Sequence, residues 1–220
     1  MTRTSGSSAP MPPALKWLNG AVLIGVVASG LAPYDRITWL LEISPLFVVM
    51  PLLWYSHSRF PLTPMLYAGI GLQMLGLLVG AAYTFPRVPL GEWLVAWFDL
   101  SRNPYDRIGH FVQGFVPAMA AREILVRGRH VRGARMLPFL SVCVVMTFSA
   151  TYELVEWMAA VTLGKDAEDF LGMQGDPWDA QADMLCAFAG AIVMLVWLPR
   201  RHDAQIRMLL RAQEPGRGGR

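Results

Sequence analysis

Six apolar blocks constrain the fold of this 220-residue chain more than any other feature of its sequence. They lie at residues 15–32, 38–54, 65–83, 105–124, 136–162 and 180–199. A helix needs about 20 apolar residues to cross a hydrocarbon core of about 30 Å. The apolar runs are continuous rather than alternating, which argues against membrane-spanning β-strands. The sequence therefore predicts an all-α, polytopic membrane bundle of about six helices over residues 14–200, with a second span interrupted by Glu42, Pro45 and Pro51.

The distribution of positive charge predicts the orientation of this bundle. If the N-terminus is cytoplasmic, 14 of the 19 Lys and Arg residues flank the inner ends of the predicted spans. This bias is typical of a bacterial inner-membrane protein, and it predicts that both termini are cytoplasmic. Residues 1–13 are then a disordered tail and residues 201–220 a basic tail. We interpret His57, His130 and His202 as solvated residues on the cytoplasmic side.

The same pattern indicates which partners to expect. The arginines flank membrane spans and form no single soluble basic face, so we expect the lipid bilayer and not nucleic acid as the partner. The first apolar block follows Arg3 and Lys16, as in a secretory signal peptide. It is long for such a peptide, and the later loops fit a first helix that is retained.

One five-residue string occurs twice. Pro33–Ile37 reads Pro-Tyr-Asp-Arg-Ile, and the same five letters return at Pro104–Ile108, each time before a helix that is predicted to run inward. The repeat is consistent with a duplicated hairpin. It is also consistent with a shared way of starting a helix, because Pro suits the first turn and Asp suits the positive end of the helix dipole.

Ionisable residues inside spans are costly and usually functional. At a rise of about 1.5 Å per residue, Glu42, His110, Glu156 and Asp183 fall roughly 6–9 Å from the outer ends of their helices, and Glu153 lies a turn deeper. We find no comparable layer of titratable residues in the inner, cytoplasmic half of the predicted spans. Four predicted helices therefore place titratable groups in one outer layer.

The spacing of these residues favours a common site. Asp106 and His110 are four residues apart, as are Asp179 and Asp183, so each pair shares a helical face. A histidine and several carboxylates from facing helices are the usual ligands of metal sites in helical bundles. Our predicted metal ligands are His110, Glu153, Asp179 and Asp183. Zinc, manganese and iron all suit this ligand set.

Two alternatives to a metal site remain open. The same groups could act as general acid and base, with Arg107 holding a phosphate or carboxylate. They could instead form a structural charge network without chemistry. For a catalytic site, the predicted residues are Asp106, Arg107, His110, Glu153, Glu156 and Asp183, with Glu42 at the edge of the same pocket.

Three strings in this region resemble a known family. Asn103–Phe111, Tyr152–Trp157 and Gln174–Asp183 are similar to the uncharacterised bacterial inner-membrane family typified by YjdF, and the likeness covers roughly residues 15–200. The resemblance implies a multi-spanning inner-membrane protein. It carries no established activity to this chain.

A fainter likeness is to the VanZ-like membrane proteins, which are associated with glycopeptide resistance. Asp106 and His110 match their Asp-x-x-x-His helix, and Glu153 matches a helix with an internal Glu. Asp179 and Asp183 approximate an Asp-x-x-x-Asn helix, but Asp183 replaces the amide. Likeness at the level of fold does not assign a function.

Three functions compete for this sequence. The first is a membrane enzyme that acts at the periplasmic face on a lipid headgroup, a lipid-linked sugar or a cell-envelope precursor. The second is a small proton-coupled transporter, supported by a line of hydroxyl groups at Ser141, Thr147, Ser149 and Thr151. The third is a non-catalytic partner or sensor that contacts another protein through the loop at 163–178.

Overall fold

The computed structural model describes residues 10–131, 133, 135–164 and 172–213. These residues form nine α-helices and one 3₁₀-helix and contain no strand. The α-helices are α1 (Pro13–Leu31), α2 (Arg36–Ile43), α3 (Leu46–Ser56), α4 (Pro64–Tyr83), α5 (Pro89–Phe98), α6 (Tyr105–Arg127), α7 (Met136–Leu163), α8 (Asp179–Trp197) and α9 (Pro199–Gln213), and the 3₁₀-helix is Phe85–Arg87. The predicted all-α class is confirmed.

The long helices run up and down, so their connections gather at two ends of the bundle. We call the end with the α1–α2, α4–α6 and α7–α8 connections the upper end. There the Tyr34 N–H donates to the Ala82 carbonyl at 2.9 Å. The lower end holds the α3–α4 and α6–α7 connections together with α9. There the Thr63 N–H donates to the Glu123 carboxylate at 3.0 Å.

Five helical segments of the described chain are long and apolar enough to cross a membrane: α1, the pair α2–α3, α4, α7 and α8. The chain is therefore a polytopic membrane bundle, as predicted. The sixth predicted span, α6, has 23 residues but is more polar than the others. It carries charged side chains near its two ends, at Asp106, Arg107, Arg122, Glu123 and Arg127.

Helices α6 and α8 run in the same direction and pack closely along their whole length. A Cβ at Gly114 of α6 would collide with the Ala187 carbonyl of α8, and one at Gly190 of α8 would collide with the Phe111 carbonyl. Glycines let helix backbones approach closely inside a membrane, where apolar burial does not drive association. The two glycines therefore bring the polar ends of α6 against α8.

The apolar core lies among α1, α4, α6 and α8. Its fully buried members include Leu15, Leu66, Met119 and Met194. The outward faces of the spans are also apolar, as expected for helices that contact lipid tails rather than water.

The two copies of the repeated string do different things. Asp35 precedes α2 and caps it, because its Oδ1 accepts from the Thr38 N–H at 2.7 Å. This bond lowers the pKa of the Asp35 carboxyl below its usual value. In the second copy Asn103 takes the capping role and accepts from the Tyr105 N–H at 3.0 Å. Asp106 is therefore released from capping, and its side chain is buried inside the bundle.

The second span is broken, as its sequence indicates. Helix α2 ends at Ile43, and α3 begins at Leu46 after the turn at Ser44 and Pro45. Between the third and fourth apolar blocks, the short helix α5 carries Trp93 and Trp97, and both tryptophan side chains are exposed.

A second polar cluster lies at the lower end, and the sequence analysis missed it. Glu123 accepts from the Thr63 hydroxyl at 2.7 Å and from Arg127 at 2.7 Å, and it lies 3.0 Å from His202 Nε2. Arg122 pairs with Asp203 at 2.7 Å. We call Thr63, Arg122, Glu123, Arg127, His202 and Asp203 the lower cluster. The inference that the inner half has no polar layer is therefore wrong.

The lower cluster also corrects our interpretation of His202 as a solvated tail residue. His202 is fully buried, and so is Ile206 on the same face of α9. The helix is amphipathic, and its buried face docks under the bundle while Arg200, Arg201 and Arg207 stay exposed. His130 is exposed as predicted, and His57 is partly exposed.

Some predicted features lie outside the described residues. They are most of the N-terminal tail, at residues 1–9, the last residues of the basic tail, at 214–220, and the loop residues 165–171.

Candidate functional site

The polar side chains predicted for the outer layer meet at the upper end of the bundle. Glu42 comes from α2, Asp106 and His110 from α6, Glu153 from α7 and Asp183 from α8. All five side chains are buried or nearly buried. We call these residues the upper cluster. Helices that are distant in sequence therefore bring four carboxyl groups around one imidazole.

Three members of the upper cluster lie close enough together to contact one metal ion. Asp106, His110 and Asp183 each offer one ligand atom, and these atoms lie within 4.8 Å of one another. His110 Nε2 lies 3.5 Å from Asp106 Oδ1, and His110 Nδ1 lies 3.6 Å from Glu153 Oε1. One ring nitrogen of His110 therefore faces the possible ligands, while the other faces a carboxylate that can orient the ring.

The upper cluster is short of hydrogen-bond partners. Within the described residues, Glu42 Oε2, His110 Nδ1, Glu153 Oε1 and Asp183 Oδ1 are buried and have no hydrogen-bond partner, although His110 Nδ1 and Glu153 Oε1 face each other at 3.6 Å. Most buried polar atoms in proteins are hydrogen-bonded, so several exceptions at one place need an explanation. A bound cation would supply such an explanation, because carboxylates that repel one another can share its charge.

A cavity of about 360 Å³ opens beside the upper cluster. Its polar lining includes Glu42, Asp106, His110, Tyr152 and Glu156. The rest of the wall is mainly apolar and comes from α4, α6 and α7, with Phe85 and Leu90 near the upper end. The cavity thus combines a carboxylate-rich side with an apolar side, a shape that suits an amphiphilic molecule.

Tyr152 connects the cavity to the cluster. Its ring lies edge-on to the His110 imidazole, with 6.1 Å between the ring centroids, and its hydroxyl interacts with Glu42. Glu156 lies one turn along α7 and interacts electrostatically with Asp106, Glu153 and Glu42. Both side chains border the cavity and are placed to contact a bound molecule.

A loop segment covers the upper cluster. Gly172 adopts a positive φ of 63°, and a Cβ at this position would come within 2.8 Å of Asp106 Oδ2. Arg102 holds the segment by donating to the carbonyl of Gly172 at 3.2 Å, and it pairs with Asp179. Gln174 exchanges two hydrogen bonds with the backbone of Asn103, at 2.9 and 3.0 Å. The segment at 172–176 is therefore tied to the start of α6.

The structure separates some residues that were predicted to act together. Asp179 pairs with Arg102 rather than joining the Asp106–His110–Asp183 group. Arg107 pairs with Asp176 at 2.7 Å, so its guanidinium holds the covering loop. Asp106, one of the predicted catalytic residues, lies with His110 and Asp183 in the group whose ligand atoms are within 4.8 Å of one another.

Neither Arg102 nor Tyr152 was predicted from the sequence to belong to the site. Arg102 lies outside the apolar blocks, so nothing marked it as a partner of Asp179. Tyr152 directly precedes Glu153 in the Tyr-Glu-Leu-Val-Glu string, and the three- and four-residue spacing rule could have placed it beside Glu156.

The line of hydroxyl groups along α7 is not continuous inside the bundle. Ser141 and Ser149 are buried, whereas Thr147 and Thr151 are exposed on the outside of the helix. Thr147 and Thr151 donate to carbonyls one turn earlier in their own helix, both within 2.8 Å. These groups therefore offer no polar path from the upper cluster to the lower end.

Comparison with known proteins places the chain among membrane proteins. The family described as "Predicted membrane protein (DUF2238)" matches residues 14–204. "Inner membrane protein YjdF" of Escherichia coli (strain K12) is 50% identical over 182 residues, which are 83% of this chain and 87% of that relative. No solved structure matches the chain.

Proposed function

Because the chain belongs to the DUF2238 family of predicted membrane proteins and is a multi-pass inner-membrane protein, we propose that its upper cluster is a divalent-metal site. With this site the protein acts on a lipid headgroup or a cell-envelope precursor at the periplasmic face. The observation that carries the proposal is the convergence of Asp106, His110 and Asp183 beside the amphiphilic cavity.

The proposed orientation places the lower end in the cytoplasm. The lower end carries Lys16, Arg59, Arg129, Arg135 and the arginines of α9, which fits the positive-inside rule. It also requires α6 to cross the membrane. The packing of α6 along α8, which is itself an apolar span, supports this crossing. Both termini then lie in the cytoplasm, and the upper cluster faces the periplasm.

The chemistry of the side chains supports the metal assignment. One imidazole and two carboxylates form a mixed N/O ligand set that suits zinc, manganese or iron. Glu153 would accept a hydrogen bond from His110 Nδ1–H and so fix the ring that binds through Nε2, as carboxylates do behind many metal-bound histidines. Compared with the ligand set predicted from sequence, Asp106 replaces Asp179, and Glu153 moves behind His110.

The cavity supports the assignment of a lipid or envelope substrate. When bound, a metal would polarise a phosphoryl or carbonyl oxygen or activate a water molecule. Glu156 lines the cavity and is placed to accept or donate a proton there. The covering segment, held by Arg102 and Arg107, restricts access of water from the upper end.

The test is to purify the full chain in detergent after growth with added zinc, manganese and iron, and to measure bound metal by mass spectrometry. We expect one metal per chain in the wild type and a loss of about tenfold or more in His110→Ala and Asp183→Asn. Asp35→Asn is the matched control, because Asp35 lies at the same end but only caps α2. A wild-type protein without stoichiometric metal would contradict the metal site.

Substrate turnover needs a separate readout. Proteoliposomes made from a total lipid extract of the inner membrane are incubated with the wild type or with His110→Ala, and lipid species are compared by mass spectrometry. We expect the wild type alone to convert one lipid class. If metal binds but no lipid changes, the site survives and the assignment of an enzyme acting on lipid fails.

A further inference from the structure

A groove next to the cavity extends toward the lower end of the bundle. Its volume is about 680 Å³, and it lies between α3 and α7 with Leu125 of α6 at its floor. Val48 on α3 and Val144 and Val155 on α7 form its exposed walls. All three valines belong to segments that are apolar enough to span a membrane. The groove therefore opens sideways, toward the lipid tails.

The groove and the cavity share part of their walls. Pro45, Phe148 and Tyr152 line both spaces. An apolar groove that faces the hydrocarbon thus lies directly beside the cavity, whose polar side includes Glu42, Asp106 and His110 of the upper cluster. A molecule that fills both spaces needs a hydrocarbon chain and a compact polar head, which is the description of a membrane lipid.

The charge of the cavity narrows the choice of headgroup. Its charged lining residues are Glu42, Asp106 and Glu156, and the described residues that line it include no Lys or Arg. A purely anionic headgroup could use only the proposed metal as a counter-charge and would leave the carboxylates of Glu42 and Glu156 without a cationic partner. A headgroup with a phosphate and an amine matches the site better, because the proposed metal can hold the phosphate while carboxylates hold the ammonium.

We infer that the occupant is a membrane lipid with a cationic amine in its headgroup, of which phosphatidylethanolamine is the simplest example. Its amine binds between Glu42 and Glu156, and one hydrocarbon chain lies in the groove between α3 and α7. The lipid enters sideways from the bilayer past Pro45, Phe148 and Tyr152. This inference rests on the proposed function and names its substrate class.

The test uses the full chain in lipid nanodiscs with two photoactivatable probes. Phosphatidylethanolamine and phosphatidylglycerol carry the same diazirine on one acyl chain, and crosslinked positions are mapped by mass spectrometry. We expect the ethanolamine probe to label Leu140, Val144 and Thr147 more strongly than Leu154, which is exposed on the same helix but lines neither space. The glycerol probe should label these positions evenly.

Groove variants supply the controls. Val144→Trp should lower labelling of the groove about tenfold, the loss expected when roughly two methylenes of the chain are displaced. Val48→Trp, on the opposite wall, should do the same if Val144→Trp does not fold. Leu154→Trp is the matched control and should leave labelling unchanged. Glu42→Gln and Glu156→Gln should remove the preference for ethanolamine while the groove stays labelled.

Equal labelling by both probes, or labelling that Val144→Trp does not change, would overturn the inference. Metal content measured on the same samples separates the two proposals. Metal bound without groove labelling means that this inference alone has failed. Specific labelling without metal means that the lipid site stands and the metal site does not.

Discussion

Helix α6 carries a buried polar cluster at each end, and the two clusters are built on opposite plans. In the lower cluster both oxygens of Glu123 are bonded, by Thr63, Arg127 and His202. In the upper cluster, carboxylates surround the single His110, and within the described residues buried oxygens of Glu42, Glu153 and Asp183 have no hydrogen-bond donor.

The difference separates a structural role from a functional one. A network of matched charges in a low-dielectric interior fixes the positions of its members, although Arg127 Nε has no hydrogen-bond partner among the described residues, and the lower cluster fastens α9 and the α3–α4 connection to α6. A network with excess negative charge and missing partners raises the energy of the folded protein and is kept for another reason. We infer that the lower cluster stabilises the bundle and that the upper cluster serves to bind the proposed metal ion.

The largest effect on stability should come from Glu123→Ala. This change leaves Arg127 and His202 buried without their shared carboxylate, which should cost about 3–5 kcal/mol in the free energy of unfolding. Thermal unfolding in detergent measures the loss. Glu123→Gln keeps the shape and one acceptor, and we expect it to lose less. A loss from Glu123→Ala below about 1 kcal/mol would show that the lower cluster does not hold the bundle together.

Gly114→Ala should affect both clusters, because Gly114 lies where α6 and α8 approach most closely. The added methyl must push against the Ala187 carbonyl, and overpacking of this kind costs about 1–3 kcal/mol. Separation of the helices should also move Asp183 away from His110 and reduce metal binding. Gly20→Ala is the control, because a Cβ there meets nothing within 4 Å. Normal stability and metal content in Gly114→Ala would contradict the packing described here.

Asp35→Ala sharpens the comparison within the upper end. Asp35 caps α2 and lies outside the upper cluster, so its loss should cost about 1 kcal/mol, the usual contribution of a helix cap. Because its folded-state pKa is lowered, this contribution is present above the unfolded-state pKa and is lost as the pH falls through the folded-state pKa. Metal content should not change. Asp106→Asn, at the same place in the second copy of the repeat, should lose metal instead.

Glu153→Gln should have the smallest effect on stability and the opposite sign to Glu123→Ala. Measured in the presence of a chelator, this change removes one of several carboxylates that repel one another, and we expect a change of at most about 0.5 kcal/mol, in the stabilising direction. Metal affinity should fall by about tenfold or more, because His110 loses its supporting carboxylate. A large loss of stability without metal would mean that the upper cluster, like the lower one, holds the fold.

The membrane-bundle architecture could be predicted because it depends on how apolar residues are distributed along the chain. Long apolar runs indicate the membrane spans, and Pro45 and Pro51 indicate the interruption in the second span. The spacing rule also predicted that Asp106 and His110 share a face, and in the structure their side chains lie 3.5 Å apart. Both signals are local in sequence, so one chain is enough to read them.

The pairing between helices could not be predicted in the same way. Nothing in the sequence shows that Arg102 pairs with Asp179 or that Asp106 lies beside Asp183. These contacts depend on how α6, with the segment just before it, is rotated relative to α8. His202 was misread for a related reason. It sits in a basic segment that is typical of a tail, and only the docking of α9 places it against Glu123.

The charged residues at the two ends of α6 also affect how this helix is inserted into the membrane. A charge costs about 2.5–3.5 kcal/mol at the centre of an inserting helix and less toward its ends, and α6, with several charges near its ends, is less apolar than the five segments that are apolar enough to span a membrane. The partners of its charged and titratable groups include Asp183, His202 and Asp203, which are synthesised 73 to 81 residues later. We therefore expect α6 to remain at the channel, or shielded by α4, until α8 and α9 have emerged, so that its release into the lipid is coupled to the completion of the chain.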